Sequence, residues 1–119
     1  MVAEVKINVM NVVGYRLCVS SEDGQKLFDT INKNFQENKK VELSFQGITN
    51  LTSAFLNTAV GQLYGKYPES FVRANLSVSH MEKDDLVILK RVVERAKDYF
   101  KNPKPYEKAA NDLIGGGNE

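Results

Sequence analysis

The chain has no tryptophan, one cysteine, one histidine and three prolines in 119 residues. A lone Cys18 excludes an internal disulfide and suits a reducing compartment. A lone His80, with no cysteine or carboxylate pair at ligand spacing beside it, is a poor basis for a metal centre. A surface or junction role accounts for it, and no cofactor is expected. No apolar run approaches the roughly 18 residues that a membrane-spanning helix needs. The opening Met1-Val-Ala-Glu-Val-Lys lacks a basic segment followed by an apolar one, so no signal peptide and a cytoplasmic location are expected. The 16 basic and 15 acidic side chains leave a net charge of +1. That balance gives no general electrostatic case for nucleic acid or a membrane surface. Nucleic-acid binding through Lys39, Lys40, Arg91 and Arg95 is weakened by it. Glycine-rich phosphate loops of P-loop or Rossmann pattern are missing. No nucleophile, base and orienting group can be read together, with Cys18 and Ser53 as nucleophile candidates and His80 the only histidine base. A non-enzymatic protein is therefore expected. A small ligand-binding domain or an enzyme without a readable motif is the alternative.

What remains is the composition of an ordinary globular domain. A chain of this length can bury roughly two-thirds of the surface it exposes when unfolded, enough for a core. Its most informative stretch is residues 41–64. Val41, Leu43 and Phe45 alternate with Glu42 and Ser44, the period of a strand. Gly47 signals a turn, and Ile48 and Leu51 lie against the core within the connection. Phe55, Leu56, Ala59, Val60, Leu63 and Tyr64 then recur at helical spacing. Either Thr52 or Ser53 can cap that helix. Its other face is small: Ala54, Asn57, Thr58, Gly61 and Gly65. Glycines there lower helix propensity, so close packing by another backbone is expected. That backbone is either a neighbouring helix of the same domain or a partner.

The run Leu43-Ser-Phe-Gln-Gly-Ile-Thr-Asn-Leu-Thr-Ser-Ala-Phe-Leu resembles the central segment of STAS domains, the fold of anti-sigma-factor antagonists. It is closer still to the bacterial STAS-like family of unknown function. The resemblance covers roughly residues 5–100. In both families a strand leads through Gly-Val or Gly-Ile to a helix that opens on a serine. Ser53 falls where anti-sigma antagonists carry the serine phosphorylated by a partner kinase. Ser44 and Thr52 stand where those families usually have aspartates, and Asn57-Thr58 where the STAS-like family tends to be acidic. The resemblance implies a regulatory protein-interaction module whose partner is a kinase-like ATPase or another regulator. It also implies that the start of the central helix faces that partner. Thr49, Asn50, Thr52, Ser53 and Asn57 are the candidate surface, and Ser53 is the candidate phosphorylation site.

The rest of the chain fits around this segment. Val5, Ile7 and Val9 predict a first strand; Tyr15, Leu17 and Val19 predict a second. The short connection at 11–14 predicts an antiparallel hairpin between them. Cys18 should then share a face with Arg16, either as a small strand side chain or as a thiol activated by the guanidinium. Ser20 precedes a helix with Glu22 and Asp23 in its first turn and an apolar stripe of Leu27, Phe28, Ile31 and Phe35. Pro68 marks the end of the central helix. Residues 71–78 contain a strand, with Ala74, Leu76 and Val78 on one face. Residues 82–100 form the last helix. Leu86, Leu89, Val93, Ala96 and Phe100 form its buried stripe, widened by Val92 and Tyr99. Arg91 and Arg95 stand one turn apart on it, as a solvated surface or as a grip for an anion or acidic partner. Residues 1–102 form the domain. Residues 103–119 are a tail with a short helix after Pro105 and flexible glycines at 115–117. The expected order is β-β-α-β-α-β-α plus the tail, an α/β fold with one mixed four-stranded sheet of STAS-like type.

Overall fold

Residues 3–101 are described by the computed structural model; the predicted tail at 103–119 lies outside them. The central strand β3 (Lys39–Ser44) is flanked by β1 (Ala3–Asn8) and β5 (Leu76–Ser79), and both pairings are parallel. Register aligns Val5 with Val41 and Leu76, and Ile7 with Leu43 and Val78. The period of two puts these six residues on one face. The intervening row is polar: Lys6 beside Glu42 and Ser77, and Asn8 beside Ser44 and Ser79. The apolar rows belong to a core that also contains Leu27, Ile31, Phe55, Leu56, Val60 and Leu63 from the helices.

Between β1 and the next strand stands a short helix, α1 (Val9–Val13), in place of the expected hairpin turn. Asn8 caps it by accepting from Met10 N at 3.2 Å. Gly14 ends it in the left-handed region, φ 100°. Val9 and Val13 are buried on one side. Five residues are too few for helical periodicity to stand out against the alternation of Val5, Ile7 and Val9.

The second strand shrinks to β2 (Leu17–Cys18), which pairs in parallel with β4 (Asn50–Leu51). The expected single mixed four-stranded sheet is therefore corrected to a three-stranded and a two-stranded sheet, both parallel. The inward side of β2 is that of Cys18. Cys18 is fully buried, whereas Tyr15 and Leu17 are exposed. The alternation was legible, but two bulky apolar residues on one side concealed which side is inward.

Helix α2 (Ser21–Gln36) follows its sequence signals. Ser20 Oγ accepts from Asp23 N at 3.1 Å. Leu27, Ile31 and Phe35 are buried, with Phe28 packed beside them. The central helical segment runs in three pieces: α3 (Ser53–Leu56), a π-helical turn (Asn57–Gly61) and α4 (Leu63–Lys66). Gln62 N donates to Asn57 O at 3.2 Å, the five-residue step that defines the π turn.

The expected strand at 71–78 divides into helix α5 (Glu69–Asn75) and β5. Pro68 opens this helix, and an aromatic cluster fixes it. Phe35 meets Tyr67 and Phe71 edge-on, with centroids 5.3 and 5.2 Å apart, and Tyr67 stacks on Phe71 at 4.9 Å. Aromatic pairing of this kind adds about 0.5–1.5 kcal/mol per pair beyond area burial. That favours a helix up to Asn75 over the longer strand that alternating Ala74, Leu76 and Val78 imply. The last helix, α6 (Lys83–Lys101), is as expected in extent but rolled in facing. Val92 and Ala96 are buried, with Ile88, Leu89 and Val93 beside them, while Leu86 and Phe100 are exposed.

Candidate functional site

The loop after β3 carries the chain from the three-stranded sheet to the start of the central helix. Ser44 is buried, and its Oγ accepts from Gln46 N at 3.4 Å, bracing the turn. Gly47 takes φ 85°, a conformation glycine adopts without a Cβ penalty. The β2–β4 pairing then ties this loop to the start of α2. Thr49 N donates to Arg16 O at 3.0 Å, and Thr52 N donates to Cys18 O at 3.1 Å. The starts of α2 and α3 are thereby held together.

Thr52 is the cap. Its Oγ1 accepts from Phe55 N at 3.2 Å and donates to Val19 O at 2.9 Å. The second bond joins the cap to the end of β2. Ser53 is thereby released from structural duty. It is the first helical residue, exposed, and its hydroxyl makes no hydrogen bond among the described residues. Thr49, Asn50 and Asn57 are exposed as well, and Thr52 is half-buried.

Ser53 and Asn57 form one wall of a cavity of about 210 Å³, and α6 forms the other with Ile88, Arg91, Val92 and Arg95. The fold thus brings together Ser53, Asn57 and the arginine pair, which are 34 or more positions apart in the chain. Thr49, Asn50 and Thr52 do not line it. Sequence reasoning singled out both arginines, but it had no means of placing them opposite Ser53. A second groove, about 250 Å³, shares Asn57 and Arg95 and continues over Gly61, Ala96, Tyr99 and Phe100. A Cβ on Gly61 would lie 3.7 Å from both Ala96 Cβ and Val92 Cγ1. The small face of the central helix is therefore used by α6 of the same domain at Gly61. At Gly65 it lies under Phe100, whose ring would meet an added Cβ at 2.5 Å.

The remaining chemistry-bearing residues lie elsewhere. Burial pushes the Cys18 thiol up to about 12, with Asp23 and Asp85 adding repulsion. Of the two readings of Cys18, these observations favour the small buried side chain over a thiol activated by Arg16. Asp23 accepts from Tyr15 Oη at 3.1 Å and pairs with Lys26 at 3.4 Å. The hydrogen bond to Asp23 raises the Tyr15 phenol in turn. His80 is exposed in the turn between β5 and α6, at φ 56°. Among the described residues no cluster of three or more His, Cys, Asp or Glu side chains is placed to hold a metal ion, and no helix is long and apolar enough to cross a membrane. Lys39 is engaged by Glu37 at 3.0 Å.

The family model described as "STAS-like domain of unknown function (DUF4325)" matches residues 23–86. That is more than half of the chain, from the first turn of α2 through the central helix and β5 into α6. Neither the curated proteins nor the solved structures give a match. The chain belongs to the STAS-like family.

Proposed function

We propose that this STAS-like domain is a non-enzymatic regulatory module that docks a protein partner on the opening turn of its central helix. Thr49, Asn50, Ser53 and Asn57 form the contact surface, and Thr52 holds it in place from behind. The observation that carries this reading is the division of labour between neighbouring hydroxyls. Thr52 caps the helix and ties it to β2, while Ser53 stands exposed on the rim of a cavity with its hydroxyl unused. Function-bearing groups on a connection held by a rigid scaffold are a common arrangement.

The same division supports a switch at Ser53. Phosphorylation would add roughly −1.5 to −2 charge at the start of a helix. The cap does not depend on Ser53, so the fold would tolerate the change while a docked partner met new charge and bulk. A kinase-like ATPase is the partner class that the resemblance implies for this position.

The test combines two measurements. Phosphoproteomics on native cells expressing the chain reports whether Ser53 is modified. Quantitative affinity capture then compares wild type with Ser53→Ala, Ser53→Asp and Asn57→Lys. Expected is a defined set of proteins lost with Ser53→Asp and Asn57→Lys and retained with Ser53→Ala. Equal recovery with every variant argues that this turn is not a docking surface. An unmodified Ser53 removes the switch alone.

A further inference from the structure

Arg91 and Arg95 are an unexplained expense of charge. They lie one turn apart on α6, where like charges repel by about 0.2–0.5 kcal/mol. Neither forms an ion pair among the described residues; the nearby Glu94 is taken by Lys97 at 3.6 Å. Both line the cavity whose opposite wall offers only the neutral hydroxyl of Ser53 and the amide of Asn57. An arginine fork matches a carboxylate in two parallel hydrogen bonds. The cavity therefore has cationic donors facing neutral acceptors only, with no anionic group among its lining residues.

The adjoining groove supplies the second half of a recognition site. It begins at Asn57 and Arg95, where the cavity ends, and its floor is Gly61 and Ala96, with Tyr99 and Phe100 beside them. Phe100 is 44% exposed, a large apolar side chain at the groove's edge. The centre of the arginine pair and the centre of the Ala96–Phe100 segment are about five residues apart on α6, or about 7 Å at 1.5 Å per residue. In an extended chain, side chains two residues apart and on the same side are also about 7 Å apart.

We infer that the channel between the central helix and α6 receives an extended segment of a partner protein, with a carboxylate seated on Arg91 and Arg95 and an apolar side chain two residues away seated in the groove between Ala96 and Phe100. This rests on the docking reading above and names the chemistry of the partner. The charge of the arginines sets the sign of the ligand, and the spacing of cavity and groove sets its length. A phosphate on Ser53 would compete for the same guanidinium groups, which couples the switch to the ligand.

The test uses the full chain and fluorescein-labelled synthetic peptides read by fluorescence anisotropy. The probe is Gly-Ser-Glu-Ser-Phe-Ser-Gly; controls replace Glu by Lys or Phe by Ser. Saturable binding of the probe, at least tenfold weaker for either control, is expected. Arg91→Glu with Arg95→Glu should lose the probe at least tenfold and gain the Lys peptide by a similar factor. That gain distinguishes an exchanged charge from a damaged fold. Absence of binding at about 1 mM probe, or equal binding of the Glu and Lys peptides, overturns the inference. So does a concentration-dependent dimer in sedimentation that Arg91→Glu abolishes, because the occupant is then a second copy. If Asn57→Lys still removes the native partner while the arginine variants retain it, docking at the central helix stands and the carboxylate site alone falls.

Discussion

Gly24→Ala tests how closely α2 and the central helix approach. A Cβ at Gly24 would lie 2.6 Å from Phe55 O, 3.0 Å from Thr58 Cβ and 3.4 Å from Ala59 N. Two of these three atoms are backbone, so no side-chain rotation relieves the overlap, and the two helices must separate by several tenths of an ångström. Overpacking of this kind costs about 1–3 kcal/mol, and a 2.6 Å approach to a backbone oxygen belongs at the upper end, about 2–3 kcal/mol. Alanine also recovers up to about 1 kcal/mol of helix propensity, leaving a net loss of about 1–2 kcal/mol. For a domain of this size each kcal/mol shifts Tm by about 4 °C, so a fall of about 4–8 °C is expected in a circular-dichroism melt. Gly61→Ala is the control. It carries the same propensity gain, but its Cβ would meet Ala96 Cβ and Val92 Cγ1 at an ordinary 3.7 Å. It should leave Tm unchanged or raise it. A Gly24→Ala protein melting at or above wild type would refute the claimed approach of the two helices, and with it the placement of α3 against α2.

The other predictions concern the helix start and the buried groups. Thr52→Ala removes the acceptor for Phe55 N and the donor to Val19 O, and should cost about 1–2 kcal/mol in urea denaturation. Ser53→Ala and Ser53→Asp should stay within about 0.5 kcal/mol of wild type; a larger loss at Ser53 than at Thr52 would reverse the assignment of the cap. Cys18 should resist thiol reagents in the native protein and react once denatured, because it is buried and its thiolate is disfavoured. Its raised pKa also has a pH consequence. The unfolded thiol ionises near its ordinary 9.0 and the folded one at about 12, so the stabilisation is complete below pH 9.0 and lost as pH rises toward 12. Cys18→Ala should therefore lose less stability than wild type across that window, and parallel pH profiles would count against the burial argument. Tyr15→Phe removes a donor to the carboxylate of Asp23. The effect should be a small fall in the urea midpoint, because the phenol is exposed to water; an unchanged midpoint would show that water replaces the bond.

The strand β3, the helices α2 and α6 and the start of the central helix follow from periodicity and capping residues that any reader of the chain can find. Hydroxyl residues ahead of an apolar stripe, and acidic residues in a first turn, act within a few positions of where they stand, so local rules suffice to locate them. The resemblance to STAS domains singled out Ser53 and Asn57 as site residues, and the local rules Arg91 and Arg95. Those rules could not decide between Thr52 and Ser53 as the cap, because that choice depends on Val19 O, 33 positions away. Short segments also escaped them. Five residues of α1 and seven of α5 are set by burial of Val9 and Val13 and by stacking on Phe35, contacts made only after distant elements meet. The pairing of β2 with β4, and of β1 and β5 with β3, likewise depends on which apolar rows find each other across the core. Sequence supplied two arginines and a serine on separate helices; packing of α6 against the π turn at Gly61 set them across one cavity.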